Sequence, residues 1–197
     1  MRTLLVNCQK IKSAHALLNY VNWLKPFTQI DIMPDEKVNS ETNLKDFDAV
    51  VITGSAKFAA LNEVHKGLLS FLKTVCLPTI GICYGHQVIC LAHGCKVVHS
   101  INPIKGAMKI RILDPNELFI NLGHEIVVDE SHFDSVVWNS DLFKKIGLKL
   151  LANSESCQVE AVKHVKRPIY GVQFHPERSG KTGLKIAENF YKYVVKK

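Results

Sequence analysis

Short uninterrupted apolar runs punctuate this chain, separated by stretches where apolar positions recur at three- and four-residue spacing. Runs of the first kind are the signature of strands buried on both faces of a parallel sheet, and the second kind is the stripe of a surface helix. Residues 3–8, 29–33, 48–53 and 78–82 read as such strands; Pro34 closes the second, and Asp48-Ala49-Val50-Val51-Ile52-Thr53 stops at Gly54. Between them, Ser13 is expected to cap a helix running to Trp23, with Leu17, Leu18 and Val21 near helical spacing. A second helix is expected from Asn62, with Leu61, Val64, Leu68, Leu72 and Val75 on one stripe. A third covers Gly85 to His93.

The pattern changes at residue 96. Through residue 130 apolar and polar positions alternate, with turn signals at Asn102-Pro103 and Asp114-Pro115-Asn116, which suits antiparallel strands attached to the parallel core. Strands follow over 148–152, 157–163 and 168–173, and an amphipathic helix from Lys181 to Val195 puts Leu184, Ala187, Tyr191 and Val194 on one side. Strand and helix in alternation predict an α/β fold with a mostly parallel central sheet, plus a small antiparallel sheet. No linker, repeat or low-complexity tract divides the chain, so residues 1–197 read as one domain.

Composition narrows the function more by exclusion than by assertion. A hydrophobic fraction of 47% and a charged fraction of 22% are ordinary for a globular chain. No apolar run reaches the length of a membrane span, and the N-terminus turns polar too early for a signal peptide. Six scattered cysteines without such a signal fit reduced thiols and a cytoplasmic location. Cys90, His93 and Cys95 stand close together, but they read as a helix running into a cap at Gly94, with no fourth ligand at zinc spacing. No metal is expected. The net charge of +7 comes without a dense basic stripe interleaved with aromatics, so a nucleic-acid partner is not expected either.

The chemistry gathers at the ends of two apolar runs. Gly81-Ile82-Cys83-Tyr84-Gly85-His86-Gln87 closes one and Gly171-Val172-Gln173-Phe174-His175-Pro176-Glu177 closes the other. Glycines two residues to either side of Cys83 suit a tight strand–turn–helix elbow with a thiol at its apex. The following helix presents its positive end to the sulfur and favours the thiolate, and the Tyr84 N–H is placed to donate to a developing oxyanion. A carboxylate two residues beyond His175 can fix the tautomer of the imidazole and stabilise the imidazolium. Thiol, imidazole and carboxylate together point to attack on an acyl or amide carbon.

The two motifs, GICYGHQ and GVQFHPE, resemble those of the class I, or triad, glutamine amidotransferases, and the resemblance runs over nearly the whole chain. It implies a three-layer α/β/α, flavodoxin-like fold in which Cys83 is the nucleophile, His175 the general acid/base and Glu177 its orienting partner. Gly54 and Tyr84 would supply the oxyanion N–H groups. Ser55, Gln87 and the segment Ser131-His132-Phe133-Asp134 would hold the glutamine. The stretches 117–119, 130–136, 154–164 and 169–170 look like the branch that serves as a separate glutaminase subunit of GMP synthase.

That likeness implies a partner in trans, an ATP-pyrophosphatase synthetase subunit that converts XMP to GMP with the ammonia released here. ATP and Mg would sit on the partner and no cofactor on this chain, which carries no G-x-x-x-x-G-K-S/T loop. Thr53-Gly54-Ser55-Ala56 stands where the family commonly has a Gly-Gly-Pro type sequence. A glutaminase subunit for anthranilate or aminodeoxychorismate synthesis, and a non-catalytic amidotransferase-like regulator, are the alternative readings.

Overall fold

The computed structural model describes residues 1–11 and 15–196. The first half of the chain forms β1 (Arg2–Asn7), α1 (Leu18–Leu24), β2 (Gln29–Pro34), β3 (Ala49–Ile52), α2 (Lys66–Thr74), β4 (Thr79–Ile82) and α3 (Tyr84–Ala92). The second half forms β5 (Val97–Ile112), β6 (Glu125–Val136), α4 (Ser140–Ile146), β7 (Leu148–Asn153), β8 (Ala161–His164), β9 (Ile169–Val172) and α5 (Gly180–Asn189). A π-helical turn over Phe190–Val195 closes the described chain.

All nine strands join one sheet in the order β2-β1-β3-β4-β9-β8-β7-β5-β6. The first five pair in parallel and the remaining ladders are antiparallel. The α/β expectation holds, but the sheet is mixed rather than mostly parallel. Its antiparallel strands extend the central sheet instead of forming a small one of their own. The junction is β9, which pairs parallel to β4 on one side and antiparallel to β8 on the other, so the ladder never breaks.

The strands of the parallel half are buried on both faces because helices cover each. Leu5, Val51, Ile80 and Val172 pack with Trp23 and Leu24 of α1 and Ile186 and Ala187 of α5. Leu4, Val50 and Ile52, pointing the opposite way, pack with Leu68, Phe71 and Leu72 of α2 and Val88 and Ile89 of α3. Successive strand residues thus serve two separate cores, which is why these strands read as unbroken apolar runs.

Several boundaries differ from the sequence reading. The Ser13 cap lies outside the described residues; α1 begins at Leu18, after a 3-10 turn over His15–Leu17. Asn62 starts no helix: at φ 63° it closes the 3-10 turn Ala59–Leu61, and α2 begins at Lys66. Asparagine tolerates this left-handed conformation, and Leu61 is left 57% exposed, outside the stripe. Asn102-Pro103 makes no turn either. β5 runs through it with an irregularity between His99 and Ile104, where no third strand requires the missing proline N–H. At the C-terminus Leu184 is exposed, and Gly183, Ile186 and Ala187 form the buried side of α5.

Candidate active site

Parallel pairing of β4 with β9 sets Gly81 beside Gly171 and Ile82 beside Val172, so the residues that follow both strands emerge together at the carboxyl edge of the sheet. Cys83 is the first residue past β4 and has φ 51° and ψ −104°. For a side-chain-bearing residue this left-handed backbone costs about 1–3 kcal/mol and persists only where neighbours impose it. Here the Cys83 N–H donates to the Val172 carbonyl (2.8 Å) and its own carbonyl accepts from the Gln87 N–H (3.1 Å). The glycines are required by contact. A Cβ on Gly81 would lie 2.6 Å from the Gly85 carbonyl, and one on Gly85 would lie 2.6 Å from the Ile52 oxygen. α3 opens at Tyr84, so the unpaired N–H groups of its first turn lie next to the thiol.

His175 follows β9 by three residues and is held from both ends. Its N–H donates to the Asp129 carbonyl (2.8 Å), and its carbonyl accepts from the Ser179 hydroxyl (2.7 Å). Pro176–Arg178 then makes a 3-10 turn that returns Glu177 to the imidazole, with Nδ1 and Oε1 2.7 Å apart. A carboxylate at Nδ1 fixes the hydrogen there and leaves Nε2 for the sulfur. Burial alone would lower the His175 pKa, but the hydrogen-bonded Cys83 sulfur on one side and Glu177 on the other outweigh it and raise the group to about 10. The three residues singled out in the sequence are therefore in contact, arranged as a thiolate–imidazolium pair backed by a carboxylate.

A cleft of about 380 Å³ opens over the sulfur, and Gly54, Ser55, Gln87, Ser131, His132 and Phe133 all contribute to its lining with the three residues above. Their roles within it are not all as expected. The Gly54 N–H, expected to be free for an oxyanion, donates to the Tyr20 hydroxyl (3.0 Å). The next amide, that of Ser55, has no acceptor among the described residues, while the Ser55 hydroxyl is bound within the loop to the Cys8 carbonyl (2.7 Å). Gln87 spends its amide hydrogens on the Asp134 carbonyl (2.8 Å) and Gln173 Oε1 (3.2 Å), so it braces the site from behind. The Ser131 carbonyl lies 3.8 Å from Cys83 Sγ. His132 turns its ring inward, away from the cleft, and Phe133 stands 38% exposed at the mouth, stacked on His99.

Three residues at this site escaped the sequence reading. Gln173 donates from Nε2 towards Cys83 Sγ (3.7 Å), and its place inside the second motif was the available signal. Asp134 is buried and ties β6 to the preceding loop by accepting from the Ala60 N–H (2.8 Å) and pairing with His99 Nδ1 (2.6 Å). Tyr20 reaches in from α1 with no sequence signal. Burial, then Glu177 and Cys83, lift its pKa well above the phenol range and keep its hydroxyl neutral.

Fold and elbow together define a class of protein, and residues 6–194 match the family model of glutamine amidotransferase class-I. The chain belongs to that family, and it is a glutamine-hydrolysing amidotransferase. Among its relatives, the glutamine-hydrolysing GMP synthase subunit of Methanocaldococcus jannaschii is 33% identical over 187 residues, covering 93% of this chain and 92% of the relative. The same subunit of Methanobrevibacter smithii is 30% identical over 196 residues, covering 99% and 97%. A crystal structure of a candidate GMP synthase subunit from Thermoplasma acidophilum superposes with a TM-score of 0.82 at 28% identity, covering 97% of this chain and 92% of that one. A glutamine amidotransferase from Thermotoga maritima shares the fold at a TM-score of 0.71 and 18% identity, covering 95% and 81%.

Proposed function

We propose that this chain is the glutaminase subunit of a two-subunit GMP synthase and hydrolyses glutamine through Cys83, His175 and Glu177. The observation that carries the chemistry is the strained Cys83 elbow set against the His175–Glu177 pair on the adjacent strand end. The Cys83 thiolate attacks the side-chain carbonyl carbon of glutamine. The Tyr84 N–H and the Ser55 N–H receive the oxyanion, with Gly54 held to Tyr20 behind them. The His175 imidazolium gives its Nε2 proton to the departing nitrogen, which leaves as ammonia, and a γ-glutamyl thioester remains on Cys83. His175, now neutral, takes a proton from water; the hydroxide equivalent attacks the thioester, and glutamate leaves as the thiolate reforms.

The relatives' names support the destination of the ammonia: a separate ATP-pyrophosphatase subunit that adenylates XMP and aminates it to GMP. No cofactor is required on this chain for the hydrolysis itself. The test is reconstitution with such a partner in the presence of ATP, Mg and XMP. Wild-type chain is expected to support GMP formation from glutamine, and Cys83→Ala to support it only from added ammonium. No glutamine-dependent GMP with the wild-type chain, while ammonium still serves, contradicts the assignment.

A further inference from the structure

Every second residue of β6 from Ile126 to Val136 is buried, and three consecutive inward positions are ionisable: Glu130, His132 and Asp134. Asp134 has its partners in Ala60 and His99. Glu130 does not. It is 1% exposed, and no donor hydrogen-bonds either carboxyl oxygen. What it faces instead is the carboxyl group of Glu160 and, 3.3 Å away, Nε2 of His132. His175 and Asp129 stand further off, and Arg178 on that side is neutralised by Asp129 at 2.7 Å.

These contacts fix where protons must be. His132 Nδ1 faces the Asp134 carbonyl at 2.9 Å and therefore carries the hydrogen, so Nε2 of the neutral ring turns a lone pair towards Glu130. That approach is attractive only with a proton between the two atoms. Glu160 accepts the Ser154 hydroxyl at Oε1 (2.6 Å), and its other oxygen has no hydrogen-bond partner. It lies in the field of Glu130, Cys157 and His132, with no lysine or arginine among the groups acting on it. Two carboxyls facing each other in such a place cannot both ionise cheaply.

The position of Glu130 gives this cluster a task. The carbonyl of the preceding residue, Asp129, accepts the His175 N–H (2.8 Å), and that of the following residue, Ser131, lies 3.8 Å from Cys83 Sγ. Glu130 is thus the inward anchor between the two backbone contacts that β6 makes with the catalytic pair. We propose that Glu130, packed against Glu160 and His132, is a positioning residue for hydrolysis, holding the stretch of β6 that touches His175 and Cys83. This rests on the glutaminase reading of the same site. Burial, the largest influence on both, pushes Glu130 up to about 7 and Glu160 to about 9. The prop is accordingly proton-loaded at neutral pH and strained when its protons leave.

Glutamate release is measured from about pH 5.5 to 9.5 for wild type, Glu130→Gln, Glu160→Gln and Glu130→Ala, with the full chain assembled with its synthetase partner. Glutamine at either position keeps the hydrogen-bonding shape of the protonated carboxyl and cannot ionise. Each of those two variants is expected to stay within about 3-fold of wild-type kcat/KM near pH 6.5 and to move the alkaline decline up by about one pH unit. Glu130→Ala is expected to lose about 100-fold, mostly in kcat. The imidazole NMR signals of His175, recorded without glutamine, are expected to keep their wild-type shifts in Glu130→Gln and to move in Glu130→Ala.

Superimposable pH profiles for wild type and both glutamine variants, or full activity in Glu130→Ala, overturn the proposal. Unmoved His175 signals in Glu130→Ala overturn it too, whether or not the chain turns over glutamine. A wild type that releases no glutamate sinks the glutaminase reading instead, and the NMR comparison still decides whether Glu130 positions His175.

Discussion

Gly183→Ala tests how far the triad depends on a helix that contributes no side chain to it. Gly183 sits on the buried side of α5, and a Cβ placed there would lie 1.7 Å from the Pro176 oxygen and 2.7 Å from its carbonyl carbon. A carbon–oxygen contact needs about 3.3 Å, so helix and turn must part by roughly 1.5 Å. Neither side can yield by a rotamer change, because the obstacle is backbone. Pro176 is the residue between His175 and Glu177, and the Gly183 carbonyl is also held by Trp23 Nε1 at 2.8 Å.

Overpacking costs about 1–3 kcal/mol, and a backbone obstacle argues for the upper end. Replacing a helical glycine by alanine returns about 1 kcal/mol, leaving a net loss of about 2 kcal/mol. For a chain of this size that lowers the melting temperature by about 4–8 °C. Displacement of the His175–Glu177 turn by about 1 Å is expected to cost about 100-fold in kcat. Thermal melts and glutamate release on the same preparation check both figures. A variant that melts at or above wild type with unchanged kcat refutes the reasoning, because the helix would then be free to move without disturbing the turn.

Tyr20→Phe removes the acceptor of the Gly54 N–H; we expect about 1 kcal/mol of lost stability and about a 10-fold lower kcat with little change in KM for glutamine, read by melts and steady-state kinetics. The carboxyl cluster also sets a pH dependence of stability. Glu130 and Glu160 titrate above their ordinary value of 4.5, at about 7 and about 9, so the folded chain holds more protons than the unfolded one across that window. Stability therefore falls as pH rises from about 4.5 towards 9, by roughly 3 kcal/mol or more, and Glu160→Gln is expected to flatten the curve in denaturant titrations at several pH values. His175, raised to about 10, adds a contribution fully present below its unfolded pKa of about 6.5 and lost as pH rises through 10; Glu177→Gln should shrink it.

The catalytic centre was legible in the sequence because its determinants are local. The Ala49–Ile52 and Ile169–Val172 strands are unbroken apolar runs, and the spacing of Gly81 and Gly85 around Cys83 encodes the elbow directly. What the sequence hid depends on distant pairing. Asn102-Pro103 carries every mark of a turn, yet it lies where β5 meets β6 irregularly, so β5 continues. Leu184 has helical spacing, but packing of Gly183 against Pro176 rotates the buried side of α5 away from it. Tyr20 meets Gly54 across 34 residues, a contact no spacing rule predicts. The inward alternation of Glu130, His132 and Asp134 was visible as a period of two, but only the fold puts Glu160 opposite it.

The central claim is that Cys83 is the nucleophile that attacks glutamine. Cys76 is the exposed cysteine, while Cys83 lies buried at the floor of the cleft, so the two give opposite answers to one measurement. The chain is treated with a glutamine-analogue electrophile, with and without excess glutamine, and the modified peptide is located by mass spectrometry. The account predicts one adduct per chain at Cys83, slowed by glutamine and absent in Cys83→Ala and, at comparable rate, in His175→Ala. An adduct at Cys76 that glutamine does not slow, with Cys83 unmodified, would contradict it.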